Sequence, residues 1–160
     1  MIKKNIKKIL SAIPVAFVFL TTNVWTHEYK IGDLKIIHPY ILKTYSGARI
    51  AGGYMKIVNT GSRSDFLTAV KIDFAKTTQI HQIKMRYDVM LMQEINGGLE
   101  ILPNSLIELK QWGYHIMFIN IINSMVEGET HDGTLYFEKA GAIKVIFNVE
   151  KMGFKLKHDN

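Results

Sequence analysis

The sequence predicts an all-β sandwich or barrel on three observations. Turn signals recur about every 8 to 15 residues, and no segment sustains a 3.6-residue apolar period. Between those turns the runs are filled by Val, Ile, Thr and aromatic residues, which suit a pleated, half-buried surface. At 160 residues with 48% hydrophobic content, the chain is long enough for one domain with a real core.

Each predicted element has a local reason. Glu28 to Ile31 and Leu34 to Ile37 flank Gly32-Asp33 and read as a hairpin. Pro39 ends the second run or leaves it at an edge, because it has no N–H to give a ladder, and Tyr40 to Thr44 reads as a separate strand. Gly52 to Val58 alternates well, with Gly52-Gly53 relieving the backbone at its start, and Asn59-Thr60-Gly61 breaks it before a strand at Phe66 to Ile72. The remaining runs are Thr77 to Lys84, Val89 to Glu94, Leu99 to Leu102, Leu106 to Lys110, Tyr114 to Asn123, Thr134 to Glu138 and Ala142 to Val149. Asn96-Gly97-Gly98, Pro103-Asn104, Trp112-Gly113, Asp132-Gly133 and Ala140-Gly141 separate them.

Residues 1–26 have the three parts of a secretory signal: a basic stretch to Lys8, an apolar run from Ile9 to Leu20, and polar Thr21-Thr22-Asn23. The apolar run falls short of the roughly 20 residues that span a bilayer. Cleavage is expected after Thr26, although Val24 and Thr26 are poor cleavage-site residues, and an uncleaved N-terminal anchor that tethers the protein to the membrane is the competing reading. The expected domain is therefore 27–150, exported to the periplasm, with a polar tail at 151–160. The formal charge of +6 does not indicate nucleic-acid binding. Lys3, Lys4, Lys7 and Lys8 carry four of the positive charges, and the remaining 16 basic and 14 acidic residues leave +2.

There is no cysteine, which excludes disulfides, zinc–thiolate sites, iron–sulfur clusters and thiol nucleophiles. Any metal must be held by His, Met or carboxylate. His115 and Met117 stand two apart in a strand and so share a face, as do Met90 and Met92. A hairpin closed by the four residues Met85 to Asp88 pairs Lys84 with Val89 and places His81 across from Met92. A three-residue loop, Arg86 to Asp88, puts Gln82 there instead. Thioether and imidazole donors suit Cu(I), and the lack of a thiolate excludes a blue-copper electron carrier, so such a site binds and hands over copper. No Ser/His/Asp order, carboxylate pair or phosphate loop stands out, and the chain is not expected to be an enzyme.

The runs HPYILKT, AGGYMKIVNTG, QIHQIKMRYDVMLM, GGLEILPNSLIELKQWGYHIMFI and LYFEKAGAIKV, from about Tyr29 to Val149, resemble the periplasmic copper chaperones of the PCuAC type. The resemblance implies a cupredoxin-like Greek-key β-barrel or sandwich. It also implies the ligand set His81, Met92, His115 and Met117 for Cu(I), and delivery to the copper-bearing subunit of cytochrome c oxidase or to another copper carrier. A monomer is expected. The alternatives are an exported interaction or assembly domain without metal, and general periplasmic copper buffering or tolerance.

The chain departs from the family's pattern at Arg86-Tyr87-Asp88, where family members place an acidic residue and Asp-Gly, and at Gln111-Trp112, in place of Pro-Gly. Trp112 is expected either to cover the metal or a partner contact, or to be a buried rim aromatic. Met90 reads as a core residue with a secondary claim as a substitute ligand, and Met85 has a weaker claim. His38 reads as structural, and His131 as a solvated turn residue. His27 is a minor candidate for Cu(II) chelation by an N-terminal amine and imidazole.

Overall fold

The computed structural model describes residues 28–151. The signal segment, His27, Met152 and His158 lie outside the described residues. Eleven strands follow in order: β1 (Glu28–Ile31), β2 (Leu34–Leu42), β3 (Ile50–Asn59), β4 (Asp65–Ile72), β5 (Ala75–Arg86), β6 (Val89–Glu94), β7 (Leu99–Ile101), β8 (Ser105–Leu109), β9 (His115–Ile121), β10 (Thr130–Phe137) and β11 (Gly141–Glu150). Hydrogen bonding orders them β6-β5-β9-β3-β2-β11-β10-β4-β7, with β1 added on β2 and β8 on β3. The β2/β11 pair is parallel, and the other strand pairs are antiparallel.

This sheet folds back on itself to enclose the core. Phe118 of β9 and Phe147 of β11 are far apart in strand order, yet their rings meet edge to face with centroids 5.8 Å apart. The Thr78 hydroxyl of β5 donates to the Val70 carbonyl of β4, which draws those two strands together at the seam. Alternation supplies the apolar face: Ile116 and Phe118 of β9, Leu135 and Phe137 of β10, and Val145, Phe147 and Val149 of β11 all point inward. The partners of Ile116 and Phe118 along β9, His115 and Met117, therefore point to the other face.

Three local expectations are corrected. β2 runs straight through Pro39, because a register shift between Ile37 and Tyr40 takes up His38, at φ 53°, and Pro39. At such a bulge no ladder N–H is required of the proline. Likewise β10 runs through Asp132-Gly133. A Cβ on Gly133 would stand 2.7 Å from the Phe147 ring, so this glycine permits close packing and does not mark a turn. His131 accordingly lies within the strand, its ring centroid 4.8 Å from that of Phe74, and is not a solvated turn residue.

The hairpin between β5 and β6 also differs. Its loop is the two residues Tyr87-Asp88, with φ of 49° and 59°, and Arg86 pairs with Val89. Positive φ at both central residues is the type I′ geometry whose twist matches the flanking strands. His81 therefore faces Glu94, and Met92 faces Ile83. The slip from the expected pairing is two residues. Because strand faces alternate with period two, Met92 keeps the same face as His81. A bulky residue such as Tyr87 is strained at positive φ, and Arg86 stacks over its ring at 5.5 Å. Tyr87→Asn is expected to raise stability by about 1 kcal/mol, read as a higher thermal midpoint with unchanged metal stoichiometry.

Candidate metal centre

The site is built on the outer face of β5, β9 and β3, roofed by the β5–β6 hairpin and the turn before β9. His81 and His115 are directly paired across β5 and β9, and their ring centroids are 5.7 Å apart. His115 and Met117 share a face as the strand period requires. Together with Met92 they line one cavity of about 350 Å³, which also touches Tyr54 and Gln111. A smaller neighbouring cavity of about 170 Å³ brings Met92 and His115 against Trp112. Trp112 is 71% exposed, so it is a rim residue open to solvent and not a buried one. His81 lines neither cavity and stands beside His115 on the same rung of the sheet.

Hydrogen bonds select which nitrogen of each imidazole is free. The Nδ1–H of His115 donates to the Gly113 carbonyl at 3.1 Å, because a carbonyl can only accept. In the neutral ring this leaves the lone pair on Nε2. The same carbonyl accepts the Ile83 N–H, which ties the turn to β5. For His81 the chain of bonds starts at Glu94. The Gln79 amide N–H donates to the Glu94 carboxylate at 3.0 Å, so the Gln79 carbonyl oxygen is the atom left for His81 Nε2, at 2.9 Å. The proton of His81 therefore sits on Nε2, and Nδ1 keeps its lone pair. That atom is buried and has no hydrogen-bond partner. An orphaned buried acceptor is costly unless something binds it, and a metal ion is a suitable partner.

His81 and His115 are 9% and 6% exposed. Burial pushes the His81 pKa below its ordinary 6.5, the proximity of His115 lowers it further, and Glu94 opposes both. A depressed histidine pKa means that the unfolded chain binds the proton more readily than the folded one. The stability this contributes is present above pH 6.5 and is lost as the pH falls through the folded value. Urea unfolding of the metal-free protein is expected to show a declining midpoint below pH 6.5, and His81→Gln is expected to flatten that slope. An unchanged slope in the variant would place its origin at another group.

Among the described residues no three His, Asp or Glu side chains form a metal-holding group. The soft donors that share the cavity with His115 are the thioethers of Met92 and Met117. Gly52 is the cross-strand partner of Met117, and it presents no side chain to crowd that thioether. The Tyr54 ring fills the space a Gly52 Cβ would need. The lack of a side chain at Gly52 thus admits the Tyr54 ring to the cavity wall. Tyr54 stacks on Tyr40 at 5.1 Å, and burial raises the pKa of both phenols, keeping this wall neutral. Sequence reasoning missed Tyr54, Gln79 and Glu94, whose proximity depends on strand pairings distant in the chain.

The profile of the LpqE-like family, described as "Putative lipoprotein LpqE-like", matches residues 34–149. The chain belongs to this family. Among solved structures, this LpqE-like chain is similar to a copper-bound PCuAC domain from PmoF2, with 29% identity and a TM-score of 0.68, covering 78% of this chain and 98% of that one. The apo PmoF2 PCuAC domain gives 30% identity, a TM-score of 0.66, and coverage of 78% and 95%. The solution structure of apo-DR1885 from Deinococcus radiodurans matches over 91% of this chain and 95% of that one, with a TM-score of 0.59 and 16% identity, and speaks to the fold alone. No curated protein matches the sequence. The LpqE-like chain is thus a PCuAC-type, cupredoxin-like β-sandwich.

Proposed function

We propose that the protein is an exported, periplasmic copper chaperone. It binds one Cu(I) through His81 Nδ1, His115 Nε2 and the sulfurs of Met92 and Met117, and passes it on by ligand exchange. The observation that carries this reading is the cavity shared by Met92, His115 and Met117, with His81 and its unpartnered Nδ1 beside His115. Imidazole nitrogen and thioether sulfur are uncharged donors that suit a soft monovalent ion. The copper-bound state of the PmoF2 domain, at 29% identity, supports the same cargo. The open cavity suits a carrier, since an acceptor can reach the ion before it is released.

The acceptor in this reading is the copper-bearing subunit of cytochrome c oxidase or another copper carrier. Export follows from the signal-like N-terminal segment, with a membrane tether if that segment is retained. The family's description speaks of lipoproteins, but this sequence contains no cysteine to which a lipid could be joined. Cuprous-ion titration against a competing chelator is expected to show one tight equivalent. Absence of competition would favour an exported assembly domain without metal. Cells lacking the protein are expected to lose oxidase activity at low copper and recover it at ample copper, whereas a buffering protein would leave that activity intact at low copper.

A further inference from the structure

Apart from the half-buried Met117 of the cavity, the methionines of the described residues divide into two groups. Met55 and Met125 are buried core residues. Met85, Met90 and Met92 are 69%, 53% and 52% exposed, and all three sit on the β5–β6 hairpin. This corrects the expectation that Met90 packs in the core. β5 pairs with β9 only as far as His81, so from Gln82 to Arg86 its sole strand partner is β6, and every residue of β6 is exposed. The hairpin projects from the body as a two-stranded ribbon.

One face of that ribbon carries the methionines. Met85 is directly opposite Met90, and Met92 is the next residue on the same face, opposite Ile83. Counting from the closing pair Arg86–Val89, Met85–Met90 is a non-hydrogen-bonded pair, the close kind, with Cα atoms about 4.5 Å apart and side chains adjacent. The diagonal from Met85 to Met92 is within reach of long side chains. Lys84 and Arg86 alternate to the opposite face, so no cation is interposed. Glu94, at the base of the methionine face, is engaged by Gln79. The face therefore presents three neutral soft donors, with the one hard carboxylate confined to its base.

We propose that Met85, Met90 and Met92 form an outer site for a soft monovalent cation, Cu(I) or Ag(I), from which the ion passes inward through Met92. This rests on the proposed inner site, since Met92 also lines the cavity with His115 and Met117. During passage the ion stays monovalent. The sulfurs of Met85 and Met90 withdraw their lone pairs as the imidazole nitrogens and Met117 supply theirs, and neither proton nor electron is transferred. Exposure suits the outer group to capture, and burial suits the inner group to retention.

Titration of the full chain with Ag(I), followed through ¹³C-labelled methionine methyl groups, tests the proposal. The first equivalent is expected to move Met92 and Met117, and the second to move Met85 and Met90 and to shift Met92 again as the donor shared by both sites. In the double variant Met85→Leu/Met90→Leu, which nearly conserves volume at exposed positions, the first equivalent is expected to bind as before and the outer Kd to rise at least about tenfold. Uptake of Cu(I) from a bulky chelate should slow in the same variant. In His115→Ala the inner phase weakens while the Met85 and Met90 shifts persist. Met85 and Met90 signals that stay still through excess Ag(I) in the unsubstituted protein would overturn the outer site. Shifts of Met85 and Met90 without an inner phase would sustain it and overturn the inner assignment.

Discussion

Replacing His115 by alanine is expected to weaken cuprous-ion binding at least about 100-fold, the equivalent of roughly 2.7 kcal/mol, with the fold intact. His115 is the one imidazole that lines the cavity, and its Nδ1–H bond to Gly113 presents Nε2 as the donor. Alanine removes both the donor and the ring that stands against His81. The Gly113 carbonyl keeps the Ile83 N–H after the substitution, so the turn retains a tie to β5. Met117→Leu removes a softer and weaker donor while conserving volume, and a smaller loss, about tenfold, is expected. Chelator competition measures both, with circular dichroism as the control for folding. Affinity unchanged in both variants would remove this strand from the site.

Phe118→Ala is expected to cost about 3–5 kcal/mol, a large share of the roughly 5–15 kcal/mol that holds a domain folded. Phe118 is fully buried, its ring contacts Phe74 at 5.1 Å and Phe147 at 5.8 Å, and it lies where Gly53 leaves room for it. It anchors the inner face of the strand whose outer face carries His115 and Met117. Urea unfolding is expected to show a lower midpoint with the same slope. Because only the folded chain assembles the site, Cu(I) at 100 times Kd should restore about 2.7 kcal/mol. That recovery should disappear when His115→Ala is added. A loss below about 1 kcal/mol would mean that the two halves of the sheet do not depend on this contact.

The strands were legible because alternation and turn residues are local. The hairpin register was not. Tyr87-Asp88 lacks the Asn-Gly or Asp-Gly signature of a two-residue turn, and composition alone does not disclose that a tyrosine is held at positive φ. Pro39 and Gly133 read as breaks because the bulge that accommodates one and the Phe147 ring that presses on the other come from elsewhere in the fold. Met90 read as core because alternation identifies a shared face without saying whether anything covers it. On an edge ribbon, nothing from the neighbouring strands does.

By itself the sequence determined the donor chemistry and its parity. With no cysteine, the soft donors available to the chain are His and Met, and period-two alternation keeps His115 with Met117 on one face of their strand. Only the tertiary structure decided that His81 stands beside His115, that Glu94 through Gln79 leaves its Nδ1 bare, and that Gly52, opposite Met117, admits the Tyr54 ring. Those contacts join residues on separate strands. Their register depends on the turn and on the packing of the whole sheet, which no local window of sequence contains.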